Sequence, residues 1–104
     1  MKYSIVFTTA PSLSEARKLA KALLDQKLAA CVQLIPGIES HYVWKGKRKR
    51  SKEVLILIKT KASLYQKLEN AIRKIHSYET PEIITIPIQR GNHAYLSWIS
   101  NSMC

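Results

Sequence analysis

Between residues 76 and 82 the chain reads His76-Ser77-Tyr78-Glu79-Thr80-Pro81-Glu82, which places an imidazole, a phenol and two carboxylates in one short segment. A neutral imidazole beside carboxylates suits a borderline divalent cation such as Zn²⁺ or Cu²⁺. A thiolate from Cys31 would extend that preference to softer ions, Cu(I) included. The same residues have plainer uses. His76 can close a helix C-terminus, Tyr78 and Pro81 can fix a turn, and a single cysteine such as Cys31 is commonly a small buried apolar group. His41 and His93 stand alone and read as surface or hydrogen-bonding residues.

Patterns that would announce catalysis are missing. The chain has no Gly-rich phosphate loop, nucleophile elbow, His-Glu-x-x-His zinc helix or two-cysteine metal motif. Thr8-Thr9-Ala10-Pro11 offers no arginine to hold a phosphate, and no pair of groups is spaced as a general acid and base on one element. The expectation is a binding protein, not an enzyme.

The elements that must position these residues follow from periodicity. Residues 2–9 alternate, with Tyr3, Ile5 and Phe7 on one face and Ser4, Val6 and Thr8 on the other, which reads as a strand ended by Pro11. Ser12-Leu13-Ser14-Glu15 reads as a capping box opening a helix, in which Leu13, Ala16, Leu19, Ala20, Leu23 and Leu24 form the apolar stripe. Ala30 to Ile35 is a strand, interrupted or bulged at Pro36-Gly37, after which extended chain resumes with Tyr42 and Trp44 on one face. Residues 45–51 suit a flexible polar hairpin tip, and Glu53 to Ile58 forms the third strand.

Shifting the sequence by 51 residues brings Ser12-Leu13 onto Ser63-Leu64, Thr9 onto Thr60 and Ile5 onto Ile56, so the chain looks internally duplicated. Ser63-Leu64-Tyr65-Gln66 reads as a second capping box, with a helix running to about His76. Ile83 to Ile88 supplies a fourth strand, with Pro87 near its end or at a sheet edge. A short helix follows, capped by Asn92. This order predicts an α+β, ferredoxin-like βαββαβ domain spanning residues 1–104: an antiparallel sheet with two helices on one face and a short C-terminal helix. Leu55 and Leu57 would then leave an apolar second face, which points to covering by partner subunits.

The net charge of +10 is concentrated: Lys45, Lys47, Arg48, Lys49, Arg50 and Lys52 hold six of the 17 basic residues, and without them eleven basic residues face seven acidic ones. The cluster therefore reads first as a soluble hairpin tip. The third strand also lacks the exposed aromatics on which RNA-recognition modules of this fold stack bases, so nucleic acid is not the expected partner. No apolar run approaches the ~20 residues that span a bilayer, and no signal-peptide pattern is evident, so a cytoplasmic setting without membrane attachment is expected. Two cysteines in these positions make no disulfide framework.

Ala29-Ala30-Cys31-Val32, Ile35-Pro36-Gly37-Ile38, Ser40-His41-Tyr42-Val43-Trp44-Lys45-Gly46, Lys59-Thr60, residues 76–82 and Tyr95-Leu96-Ser97-Trp98-Ile99 together closely resemble the CutA family of divalent-cation tolerance proteins, over nearly the whole chain. The resemblance implies a PII-like homotrimer, a response to copper and other divalent metals, and no known reaction or obligatory cofactor. It associates metal with Cys31 and His76. Departures are Ser77, where the family usually has proline, and Thr8, where some members carry a further cysteine. Trp44, Lys59, Tyr78, Glu79 and Glu82 complete the candidate ligand-binding set, at clefts between subunits. Two other readings remain open: a PII-like sensor of a small anionic metabolite using Lys59 and the basic hairpin, and a nucleic-acid-binding module using residues 45–52.

Overall fold

The computed structural model describes residues 1–103; Cys104 lies outside them. The elements follow in the order β1 (Tyr3–Ala10), α1 (Leu13–Asp25), β2 (Cys31–Trp44), β3 (Lys47–Lys61), α2 (Tyr65–Ile75), β4 (Ile83–Pro87) and α3 (His93–Ser102), with a 3-10 turn at Ala62–Leu64 before α2. The four strands form one antiparallel sheet ordered β2-β3-β1-β4. This is the ferredoxin-like βαββαβ arrangement that the duplicated pattern predicted.

Side-chain alternation divides the sheet into two chemically different faces. Val6, Ala10, Val54, Ile56 and Ile58 point toward the helices and pack against Ala16, Leu19 and Leu23 of α1 and Leu68, Ala71 and Ile72 of α2. Burying an aliphatic side chain of the larger kind contributes roughly 1.5–3 kcal/mol, so this layer is the main source of stability. Pro87 sits at the end of an edge strand, where its missing N–H costs no ladder bond.

The opposite face carries Ile5 and Phe7, which pair in register with Ile86 and Ile84 on one side and with Lys59 and Leu57 on the other. Helix α3 crosses one end of this face. Its Tyr95 ring lies 5.7 Å from the Lys59 ammonium, its Ser100 hydroxyl bonds Tyr3, and Ile99 is fully buried. The rest is open, leaving Ile35, Ile84 and Ile86 about half exposed.

Two expectations about caps change. Ser12 caps α1 as expected, its Oγ accepting from the Glu15 amide at 3.2 Å. Glu15 does not close a reciprocal box; its Oε2 accepts instead from the Ser77 N–H at 3.1 Å, across the molecule. The second box does not form: Ser63 lies in the 3-10 turn, and α2 begins at Tyr65 with no side-chain cap. Asn92 does cap α3, its Oδ1 accepting from the Tyr95 N–H.

The hairpin differs more. Residues 47–51 belong to β3, and the turn is only Lys45-Gly46, both at positive φ, as a two-residue hairpin requires. Cross-strand pairing with β2 holds the basic run extended, in place of the flexible tip expected from its composition. Because β1 pairs with β3 only from Val54 onward, residues 38–53 form a two-stranded ribbon beyond the sheet. A ribbon of this kind is marginal by itself in water.

Candidate functional site

The site is built by one irregularity in β2. Ile35 pairs with Leu55, but the next pair is Ile38 with Glu53, so β2 spends three residues where β3 spends two. The extra residue is accommodated at Pro36-Gly37, with Gly37 at φ 77°, and it reverses the phase of alternation. Before the bulge, odd-numbered residues of β2 share a face with Leu55 and Leu57. After it, Ile38, Ser40, Tyr42 and Trp44 do. Tyr42 and Trp44 thereby stand on the same side of the sheet as Glu53 and Thr9.

The segment after α2 closes the other wall. His76 is the C-cap of α2, its amide bonded to the Ile72 carbonyl. Its side chain is fully buried, with both ring nitrogens engaged: Nε2 lies 2.6 Å from the Thr9 carbonyl, and Nδ1 lies 3.0 Å from the Tyr78 N–H. A carbonyl only accepts and an amide only donates, so the neutral Nε2–H tautomer satisfies both bonds. Glu15 Oε2, 3.4 Å from Nδ1, holds Ser77 from the other side. Glutamate and histidine together bolt the turn onto the ends of β1 and α1.

This fixing aims Tyr78 at β3. Its hydroxyl donates to Glu53 Oε2 at 3.0 Å, and its ring lies against His76 with centroids 4.8 Å apart. Burial, the hydrogen bond to Glu53 and the charge of that residue push the Tyr78 phenol up to about 12. A phenol so shifted stays protonated at neutral pH and serves as a donor.

The result is an open cleft of about 680 Å³ lined by Thr9, Ser40, His41, Tyr42, Trp44, Glu53, Ser77, Tyr78, Glu79, Thr80 and Glu82. Of the candidate residues, Trp44, Tyr78, Glu79 and Glu82 line it, and His76 stands behind its wall. Cys31 and Lys59 do not join them. They are cross-strand partners at the opposite end of the sheet, six residues along β3 from Glu53, about 20 Å at the usual rise per residue. Lys59 there donates to Gln33 Oε1 at 2.5 Å. Sequence reading passed over Glu53 and Glu15. The one signal for Glu53 was an acid standing between the basic run and the apolar strand.

The four-stranded antiparallel sheet with its helices is an α+β fold of ferredoxin type, consistent with the PII-like class. Residues 4–102 match the family model of the CutA1 divalent ion tolerance protein, and the chain belongs to that family. It is 45% identical to human Protein CutA over 96 residues, 92% of this chain and 54% of the human one. It is 43% identical to the chloroplastic Protein CutA of Arabidopsis thaliana over 98 residues, 94% of this chain and 54% of that one. The chain thus spans about half the length of these relatives. Among solved structures, the periplasmic divalent cation tolerance protein CutA of Archaeoglobus fulgidus superimposes with a TM-score of 0.94 at 40% identity, covering 97% of this chain and 98% of that one.

Those relatives correct the cytoplasmic assignment. A periplasmic protein and a chloroplastic one share this fold and sequence, so membership of the family does not confine a chain to the cytoplasm. Among the described residues no helix is long and apolar enough to cross a membrane.

Proposed function

We propose that this chain is a non-enzymatic divalent-ion tolerance protein that works as a homotrimer and holds a divalent cation, copper or another, or a small ligand in the Trp44–Glu53–Tyr78 cleft at the boundary between subunits. One observation carries the reading. In a chain of net charge +10, three of the seven acidic residues, Glu53, Glu79 and Glu82, line a single cleft. Such a cleft focuses negative potential where the rest of the surface repels cations.

The donor set within one protomer is partial. Among the described residues no three His, Cys, Asp or Glu side chains converge on one point, and His76 has no free ring nitrogen. Carboxylate oxygens favour harder ions, and a neighbouring protomer would complete the coordination. In this reading Cys31 serves as a soft donor only across a subunit boundary, and His76 contributes by holding the cleft wall.

Trimer formation is supported by the half-exposed Ile35, Ile84 and Ile86 on the outer sheet face and by the ribbon that has no third strand of its own. Lys59 lies outside the cleft, which weighs against a sensor of anionic metabolites centred there.

Isothermal titration of the reduced protein with Cu²⁺ and Zn²⁺ tests the proposal. Saturable binding weakened by Glu53→Gln and Glu82→Gln is expected. Absence of binding for both ions would remove the metal role.

A further inference from the structure

The ribbon presents a second charged face, on its side away from the cleft. Strand alternation and the register Val43↔Arg48, His41↔Arg50 and Glu39↔Lys52 put Arg48, Arg50 and Lys52 on one face, with Lys45 at the turn. Spacing by two residues along β3 sets these cations about 7 Å apart in a straight row. Residues 41–44 and 47–50 are all exposed. A shallow depression of about 480 Å³ at the ribbon's edge is lined by His41, Tyr42, Val43, Arg48, Lys49 and Arg50.

Among the described residues the one aromatic contact these cations make is that of Lys45, whose Nζ lies 6.0 Å from the Trp44 ring centroid. Among the described residues the ion pairs are Lys21–Asp25, His41–Glu39, Arg73–Glu69 and His76–Glu15, so no ribbon lysine or arginine has a carboxylate partner. Glu39, the only acid on this face, is taken by His41 at 2.6 Å. Like charges held in a row by the cross-strand register repel one another, a cost that a polyanion would relieve. Flexible chain would let the cations spread apart; ordered strand does not. The geometry points to the Arg48–Arg50–Lys52 face as a binding surface for the phosphodiester backbone of nucleic acid. A two-stranded ribbon is of a width that the major groove of duplex DNA admits, and guanidinium groups pair with phosphate oxygens in two-pronged fashion. Backbone contact of this kind is independent of base sequence.

The test is fluorescence anisotropy of a short labelled DNA duplex titrated with the full chain. With Lys45, Arg48, Arg50 and Lys52 each neutralising one phosphate, affinity should fall by about two orders of magnitude between roughly 50 and 200 mM salt, a logarithmic slope of about −3.6 per ribbon engaged. Arg48→Glu with Arg50→Glu should weaken low-salt binding by about a hundredfold or more, and Arg48→Gln with Arg50→Gln should cut the slope by about 2. Arg17→Glu with Lys18→Glu, the same charge change on the exposed face of α1, should leave binding within about twofold. No binding at low salt, equal loss in the ribbon and helix variants, or capture by phosphatidylserine vesicles without binding to the duplex would each overturn the assignment. If charge reversal perturbs folding, the glutamine pair decides.

Discussion

The Tyr78 hydroxyl donates to Glu53 Oε2 at 3.0 Å, joining the turn after α2 to the base of the ribbon across 25 positions of sequence. Glu53 is buried to 9% exposure, and this bond is the polar contact that its carboxylate makes among the described residues. Tyr78→Phe should therefore cost about 1 kcal/mol, read as a lower urea midpoint with an unchanged slope, because the charged acceptor loses its donor at a partly exposed site.

The same phenol sets an alkaline limit on stability. Its pKa rises from 10.0 to about 12 on folding, through burial first and then Glu53, so the folded state keeps a proton that the unfolded chain releases. The stabilisation is complete below pH 10 and is lost as pH rises through about 12. In an absorbance titration of phenolate formation, Tyr78 should ionise late together with Tyr65, whose pKa is also raised, chiefly by burial. Tyr78→Phe should shrink that late phase.

His76 is a structural link, and its two bonds make the prediction specific. His76→Ala should destabilise the protein by about 2–3 kcal/mol, from the vacated space and the unpaired Thr9 carbonyl and Tyr78 amide. His76→Gln, whose amide can donate to Thr9, should recover part of the loss in thermal melts. Equal losses would mean that volume, not hydrogen bonding, dominates.

Gly37 has nothing within 4 Å of the position its Cβ would take, yet sits at φ 77°. Gly37→Ala should cost about 1 kcal/mol from backbone conformation alone. Deleting Gly37 should do something different: the phase of β2 reverses, Tyr42 and Trp44 leave the cleft, and ligand binding disappears while helical circular dichroism persists.

Ile84 and Ile86 flank Phe7 and Ile5 on the open sheet face. A double change to Glu should shift the mass seen by light scattering from three times 11.9 kDa to a single chain. A wild-type chain already monomeric at micromolar concentration would contradict the trimer.

Much of the local structure is legible in the residues. Ser12 and Asn92 mark helix starts because a side-chain oxygen next to free amides satisfies them locally. Ile5 and Phe7 alternate with Val6 and Thr8 because strands alternate, and Pro36-Gly37 marks the bulge because Gly37 accepts positive φ. The basic run was misread as a flexible tip because composition reports solvation, whereas cross-strand pairing with residues 39–44 decides whether the chain is extended. Ser63 was misread as a cap because the helix starts two residues beyond it.

From sequence alone came the element order, the duplicated topology, the bulge and the turn that carries His76 to Glu82. Only the tertiary structure decided who meets whom. It brought Glu53 to Tyr78, turned Glu15 from its own helix toward Ser77, and left Cys31 and Lys59 at the far end of the sheet. The reason is physical: local hydrogen bonding and burial imprint short periods on a sequence, but cross-sheet neighbours depend on register, where a single inserted residue exchanges the two faces of a strand.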